Sequence, residues 1–237
     1  MTQKELNWFR KRVGVITASE VDKLFSVSGK WIEGNITYLY QKQYERAYNE
    51  PLCPKSARSL TLGTENEPYA IAWMRNKYPE LVIKHCSVDY DEIIFVKNDW
   101  GLGGSPDGFI FINGEKEIPD KLLEIKCVVG DKQICRYFSN TLPYEKKRIE
   151  AFEEHKYQLY AQFLLFPEVE EIILLKYRPQ FDENPFDMLD VLDESRGIEF
   201  AYTRKEMGDM LQVVEDRVRF ADEYLKSGQD LEMINKK

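Results

Sequence analysis

Residues 103–108 read Gly103-Gly104-Ser105-Pro106-Asp107-Gly108, and residues 123–127 read Leu123-Glu124-Ile125-Lys126-Cys127. Between them, Phe109-Ile110-Phe111-Ile112 has the composition of a buried strand and Asn113-Gly114-Glu115-Lys116 that of a turn. Side chains two apart on a strand share a face, so Glu124 and Lys126 lie on one side while Ile125 and Cys127 face the core. Folding back at the turn brings Asp107 beside them. Two carboxylates and an ammonium at one spot suffice to hold Mg²⁺ and position a water for attack on phosphate. The Ile125 backbone carbonyl supplies a further oxygen ligand. The glycine pair before Asp107 carries no side chains and leaves room for a ligand. For so short a pattern the plain alternative is an ordinary Pro-Asp-Gly turn beside a surface ion pair.

Working outward, residues near 3–12 read as a helix broken by Gly14-Val15-Ile16-Thr17-Ala18. Ser19 then starts a short helix through about Phe25, with Asp22 three residues on in a capping-box pattern. Further helices are expected at about 35–49, 65–77, 132–138 and 144–165, and a last one at about 203–226. Strand signals cluster at 81–90, 93–96, 109–112, 121–127 and 172–177. The acidic, proline-flanked stretch 181–192 reads as irregular. This order predicts an α/β fold with a central mixed sheet flanked by helices, in a single domain spanning 1–237, with its core motifs at about 12–178.

The composition narrows the functional class. An apolar fraction of 43% is enough for a sizeable core, but no run approaches the roughly 18 apolar residues of a membrane span. Met1-Thr2-Gln3-Lys4-Glu5 opens into a polar helix without the apolar region of a signal peptide, so a cytoplasmic protein is expected. Cys53, Cys86, Cys127 and Cys135 form no C-x-x-C pair. Their spacing argues for reduced, mostly buried thiols and against a structural zinc or an iron–sulfur cluster. A net charge of −8 argues against a surface that is basic throughout, while permitting a local basic channel. Arg10-Lys11-Arg12, Lys146-Lys147-Arg148 and Arg217 with Arg219 read as solvated helix faces.

Three other segments carry chemistry-bearing groups. Arg12, Thr17 and Ser19 place a guanidinium and two hydroxyls around a helix start, which suits a terminal phosphate. In Gly63-Thr64-Glu65-Asn66-Glu67, the two glutamates cannot face the same way on a helix, and a first-turn glutamate ordinarily compensates the helix dipole. Gln158 and Gln162, four apart, share a helix face.

Taken in order, Arg-x-Gly-Val-Ile-Thr-Ala-Ser-Glu-Val from Arg12, Gly-x-x-x-Glu from Gly63, Ser-Pro-Asp-Gly from Ser105 and Glu-x-Lys-Cys from Glu124 resemble the bacteriophage lambda exonuclease family of viral recombination nucleases. With the helix of Gln158 and Gln162 they run over about two-thirds of the chain. The resemblance implies a restriction-endonuclease-like core. It also implies a 5′→3′ exonuclease that digests one strand of linear duplex DNA bearing a 5′-phosphate, leaving a 3′-ended strand for a single-strand annealing protein. Asp107 and Glu124 then bind Mg²⁺, with Mn²⁺ able to substitute because the ligands are oxygens. Lys126 activates the water, and Glu67 matches the additional carboxylate near the metal. Arg12, Ser19 and Thr17 receive the 5′-phosphate. Leu60 falls where the family has an apolar residue that wedges the duplex apart. Gln158 lies in the family's glutamine-containing helix, although Tyr160 stands where a second Gln is usual. Val27 and Ser28 offer no counterpart to a loop arginine of the lambda enzyme. The family's ring-shaped homotrimer would reconcile an acidic exterior with a basic channel, in a phage or prophage protein acting in a bacterial cytoplasm. The competing readings are an endonuclease of restriction or repair type and an inactive DNA-binding relative.

Overall fold

The computed structural model describes residues 2–26, 30–52, 58–179 and 193–228, with the side chains of 58–61 outside the description. The irregular reading of 181–192, the loop at Val27 and Ser28, the side chain of Leu60 and Cys53 all lie outside the described residues.

The sheet at the centre follows from sequence alternation. Strands β2 (Val82–His85), β5 (Gly108–Phe111), β6 (Lys121–Cys127), β7 (Glu171–Tyr177) and β8 (Gly197–Thr203) form a mixed sheet in the order β2-β5-β6-β7-β8, parallel only between β6 and β7. Helices α4 (Asp131–Phe138) and α5 (Tyr144–Leu165) supply the crossover between those two strands. A smaller sheet pairs β1 (Ile16–Thr17) with β4 (Leu102–Gly104) in parallel and β4 with β3 (Val96–Lys97) in antiparallel fashion.

Each strand of the large sheet divides its residues between two cores. Leu122, Ile172, Leu174, Phe109, Phe111, Phe200 and Tyr202 join the core that includes Leu159 and Phe163 of α5. Leu123, Ile125, Ile173, Leu175 and Ile110 join the core that includes Ile71, Trp73 and Met74 of α3 (Arg58–Lys77). A β6 covered on both faces changes the sequence reading in one respect. Ile125 and Cys127 do point at a core, the one under α3, but the opposite face is no surface either: Glu124 is 1% exposed. A parallel pair roofed by its own crossover helix is buried on both sides.

The remaining elements complete the two layers. Helix α1 (Gln3–Arg12) is capped by Thr2 and Glu5, and α2 is Glu33–Tyr48. The short helix expected from Ser19 is a 3₁₀ helix, Ala18–Leu24, with Thr17 at its N-cap. The Ser19–Asp22 box does not form; the Thr17 hydroxyl instead donates to Glu20 at 2.9 Å. Helix α3 begins at Arg58 rather than near 65 and runs through Gly63 and Pro68. Pro68 cannot donate to the carbonyl of Thr64, and nearby the Asn66 amide and the Cys127 thiol reach the Leu62 and Gly63 carbonyls. Strand β8 was not expected, although Ile198, Phe200 and Tyr202 alternate with Glu199 and Ala201. The final helix splits into α6 (Arg204–Met207), boxed by Thr203 and Glu206, and α7 (Met210–Ser227).

The basic clusters are partly structural. Lys147 is buried and donates to the Ser139 carbonyl. Arg148 holds the Ala201 carbonyl, and Arg217 stacks on Trp31 and donates to the Leu24 carbonyl. Among the cysteines, Cys86 is buried, Cys127 half-buried and Cys135 exposed. No described helix is long and apolar enough to cross a membrane.

The glycine pair before Asp107 serves packing, not ligand access. A Cβ at Gly103 would stand 2.6 Å from the Phe95 ring and 2.8 Å from Val15, and one at Gly104 2.9 Å from both Ala18 and Leu165. Gly104→Ala should therefore cost about 1–3 kcal/mol by overpacking. For a chain of this size that lowers the melting temperature by roughly 2–4 °C per kcal/mol. An unchanged melting curve would show that this layer has slack.

Candidate active site

Asp107 sits where β4 gives way to β5. Cys86 N donates to its carbonyl at 3.0 Å, joining the turn to the end of β2. Its Oδ2 accepts the Ile125 backbone N–H at 2.6 Å. The β5–β6 ladder ends at the pair Gly108–Leu123, so beyond it the Ile125 N–H has no strand partner and the carboxylate takes its place. The Ile125 carbonyl leaves the strand on that same edge, since a residue's N–H and C=O point to one neighbour.

Glu124 is directed under α5. Its Oε1 accepts from Lys126 Nζ at 2.5 Å and from Gln158 Nε2 at 2.6 Å. Its Oε2 accepts from Gln162 Nε2. The i,i+4 glutamines thus converge on one carboxylate. Gln162, 1% exposed, is the residue that sequence reasoning paired with Gln158 but did not assign to the site. The shared helix face was the signal.

Glu67 comes from α3. It lies in the third turn, not the first, so it is not there to compensate the dipole. Burial, reinforced by the Glu124 charge, pushes its carboxyl up to about 7. Asp107 is held well above the usual carboxylate range by burial, then by Glu124 and Glu67, against the opposing pull of Lys126 and the Ile125 N–H. Burial by itself would lower the Lys126 pKa, but Glu124, Asp107 and Glu67 outweigh it and raise the ammonium above its ordinary value. Three carboxylates share one ammonium, and that charge balance favours a divalent cation. Among the described residues no three Cys, His, Asp or Glu side chains form a ready-made metal cage. Such a set still fits Mg²⁺, which keeps several waters and takes one or two carboxylates.

The second group of candidate residues also assembles. Arg12 Nη2 is 3.5 Å from Thr17 Oγ1, which is 3.5 Å from Ser19 Oγ. The Arg12 guanidinium lies over the Trp8 ring at 4.3 Å. Trp8 Nε1 donates to Ser105 Oγ at 2.8 Å, two residues from Asp107. Strand pairing reinforces the link, because Thr17 is opposite Gly103. The two groups are thus braced against each other. Leu60 belongs to α3, and its side chain lies outside the described residues.

The crowded carboxylates make stability depend on pH. The Glu67 pKa is raised above its unfolded value of 4.5, so between about 4.5 and 7 the folded state binds more protons than the unfolded. Its contribution therefore worsens as pH rises through that window. Without divalent cations, Glu67→Gln should be more stable than wild type above pH 7, by on the order of 1–3 kcal/mol. The gap should close towards pH 4.5. A pH-independent difference would show that Glu67 does not carry the repulsion.

Set beside this geometry, two kinds of comparison with known proteins, by structure and by family model, point the same way. The chain resembles the crystal structure of an alkaline exonuclease, LHK-Exo, from Laribacter hongkongensis at a TM-score of 0.62, with 17% identity over 98% of this chain and 96% of that one. The same enzyme in complex with dAMP matches at 0.62 and 19% identity, over the same shares of the two chains. A phage-related exonuclease from Haemophilus somnus 129PT matches at 0.61 and 12% identity, covering 91% of this chain and 96% of that one. The shared fold is restriction-endonuclease-like. A search of curated protein sequences gave no match. The family model of the YqaJ-like viral recombinase domain spans residues 7–164, from the helix that carries Arg12 to the helix that carries Gln158 and Gln162, and the chain belongs to that family.

Proposed function

We propose that the protein is a Mg²⁺-dependent DNA exonuclease that digests one strand of linear duplex from its 5′-phosphorylated end. The observation that carries this reading is the joint placement of Glu67, Asp107, Glu124 and Lys126 beside a separate Arg12–Thr17–Ser19 group. The likeness to alkaline exonucleases supports the same chemistry.

Asp107, Glu124 and the Ile125 carbonyl would hold the metal, with Glu67 alongside. When bound, a divalent cation neutralises charge on a phosphoryl oxygen and lowers the pKa of a coordinated water. The chain's own groups do the rest. Gln158 and Gln162 fix the Glu124 carboxylate so that it need not reorganise during reaction. Lys126, kept protonated by three acids, orients the attacking water and stabilises developing negative charge. Arg12 receives the 5′-terminal phosphate through its planar fork, assisted by the Ser19 hydroxyl, while Thr17, whose proton goes to Glu20, accepts from Arg12 and orients it. Trp8 keeps that pocket at a set distance from the Asp107 turn. An endonuclease needs no receptor for an end phosphate, and this favours the exonuclease. Mn²⁺ should substitute for Mg²⁺. A ring of three copies would reconcile a basic channel with a net charge of −8 per chain by leaving an acidic exterior, and a single-strand annealing protein would take the product.

Lys126→Ala should reduce digestion of a linear duplex by at least about 10²-fold while leaving DNA binding intact. Arg12→Ala should slow a 5′-phosphorylated duplex by roughly 10–100-fold, the worth of one charge-assisted hydrogen bond. It should also abolish the preference over a 5′-hydroxyl duplex. An Arg12 variant that retains the preference would remove the pocket from the account, and an active Lys126→Ala would remove the catalytic assignment.

A further inference from the structure

His85 ends β2 and is 3% exposed. Its backbone pairs with Gly108, the residue after Asp107, and its N–H is held by Asp89 Oδ2 at 2.6 Å. Ile83, two residues earlier, packs in the core under α3, so His85 faces the same helix that carries Glu67. The ring is anchored on one side only. Nδ1 lies 3.1 Å from the Ser87 backbone nitrogen and 2.9 Å from Ser87 Oγ. A backbone N–H can only donate, so Nδ1 is the acceptor and the ring proton sits on Nε2. That Nε2 is buried and has no hydrogen-bond partner among the described residues. The atom it confronts is Glu67 Oε2, 3.8 Å away. A buried donor left without an acceptor is costly, and a shift of less than an ångström would complete this one.

We propose that His85 is a positioning residue for Glu67: its Nε2–H donates to Glu67 Oε2 and turns the other carboxylate oxygen towards Asp107 and Glu124. This rests on the metal-centre reading above. The tautomer also rules His85 out as a metal ligand, because the nitrogen facing the site carries the proton. Outer partners of this kind set ligand orientation, and losing one typically costs about 10–100-fold in metal affinity. The turn 85–89 would then couple to the site through a single ring. Its Ser87 N–H fixes the tautomer, and Asp89 fixes the strand end from which the ring projects.

The test reads Mn²⁺ binding by electron paramagnetic resonance, without DNA. His85→Asn keeps an acceptor for Ser87 but cannot reach Glu67, whereas His85→Gln places an amide nitrogen near the position of Nε2. His85→Asn should weaken Mn²⁺ binding about 10–100-fold, and His85→Gln should restore most of it. In a Glu67→Gln background His85→Asn should have no further effect. Unchanged binding in His85→Asn, or an equal loss in the Glu67→Gln background, overturns the proposal. Asp107→Asn separates the two levels. If it abolishes binding while His85→Asn binds normally, only the role of His85 fails. If wild type and Asp107→Asn bind Mn²⁺ alike, the metal-centre reading fails and takes this one with it. A second measurement needs no variant. The chain has two histidines, so ¹⁵N spectra can assign both rings. His85 should be protonated at Nε2 and remain so on adding Mg²⁺, with its resonance shifting. A proton on Nδ1, or an unresponsive ring, contradicts the proposal.

Discussion

A carboxylate buried beneath three donors governs the architecture around this site. Glu124 stands mid-strand under a helix, with Lys126 and Gln158 donating to one oxygen and Gln162 to the other, which leaves an acceptor site on Oε2 open. An unpaired buried carboxylate would be expensive enough to protonate or to drag the strand open. Satisfying it requires a helix directly over β6 with two amides one turn apart, and the crossover connecting β6 to β7 delivers that helix. The polar centre and the sheet's topology are therefore one solution to one problem. The Lys126 ammonium belongs to it as well, because the nearby acids outweigh the burial that would otherwise lower its pKa.

The sheet also lets two layers meet at a point. Residues on one face of β6 look towards α5 and those on the other towards α3, yet Asp107, just ahead of β5, is felt both by Glu124 of β6 and by Glu67 of α3. The mutual repulsion of Glu67, Asp107 and Glu124 opposes stability in this part of the fold. Packing elsewhere offsets it, including the glycine pair that lets β4 run against Ala18, Leu165 and Phe95.

Much of this was legible in the sequence. The period-2 alternation of residues 121–127 located β6 and put Glu124 and Lys126 on one face, and the Ser-Pro-Asp-Gly turn placed Asp107 beside them. What the sequence concealed has definite physical causes. Burial on both faces of β6 cannot be read from one strand, because it depends on which helix returns over it. The helix expected from about 65 already ran through Pro68, but α3 begins earlier, at Arg58, and takes in Gly63, with side chains from Asn66 and Cys127 engaging nearby carbonyls. The glycine pair looked like space for a ligand, and only the tertiary neighbours show that space filled. Strand β8 was overlooked although Ile198, Phe200 and Tyr202 alternate cleanly. Gln162 carried a readable signal, its i,i+4 relation to Gln158, but nothing local named Glu124 as the target.

The most direct test of the central claim follows the two strands of a linear duplex separately. Each strand is labelled at its 5′ or 3′ end, and the time course is compared with that of a covalently closed circle, in Mg²⁺ and in chelator. The account predicts metal-dependent loss of nucleotides from the 5′ end of one strand, an intact circle and a persistent 3′-ended single strand. Cutting of the circle, or equal digestion in chelator, would contradict it.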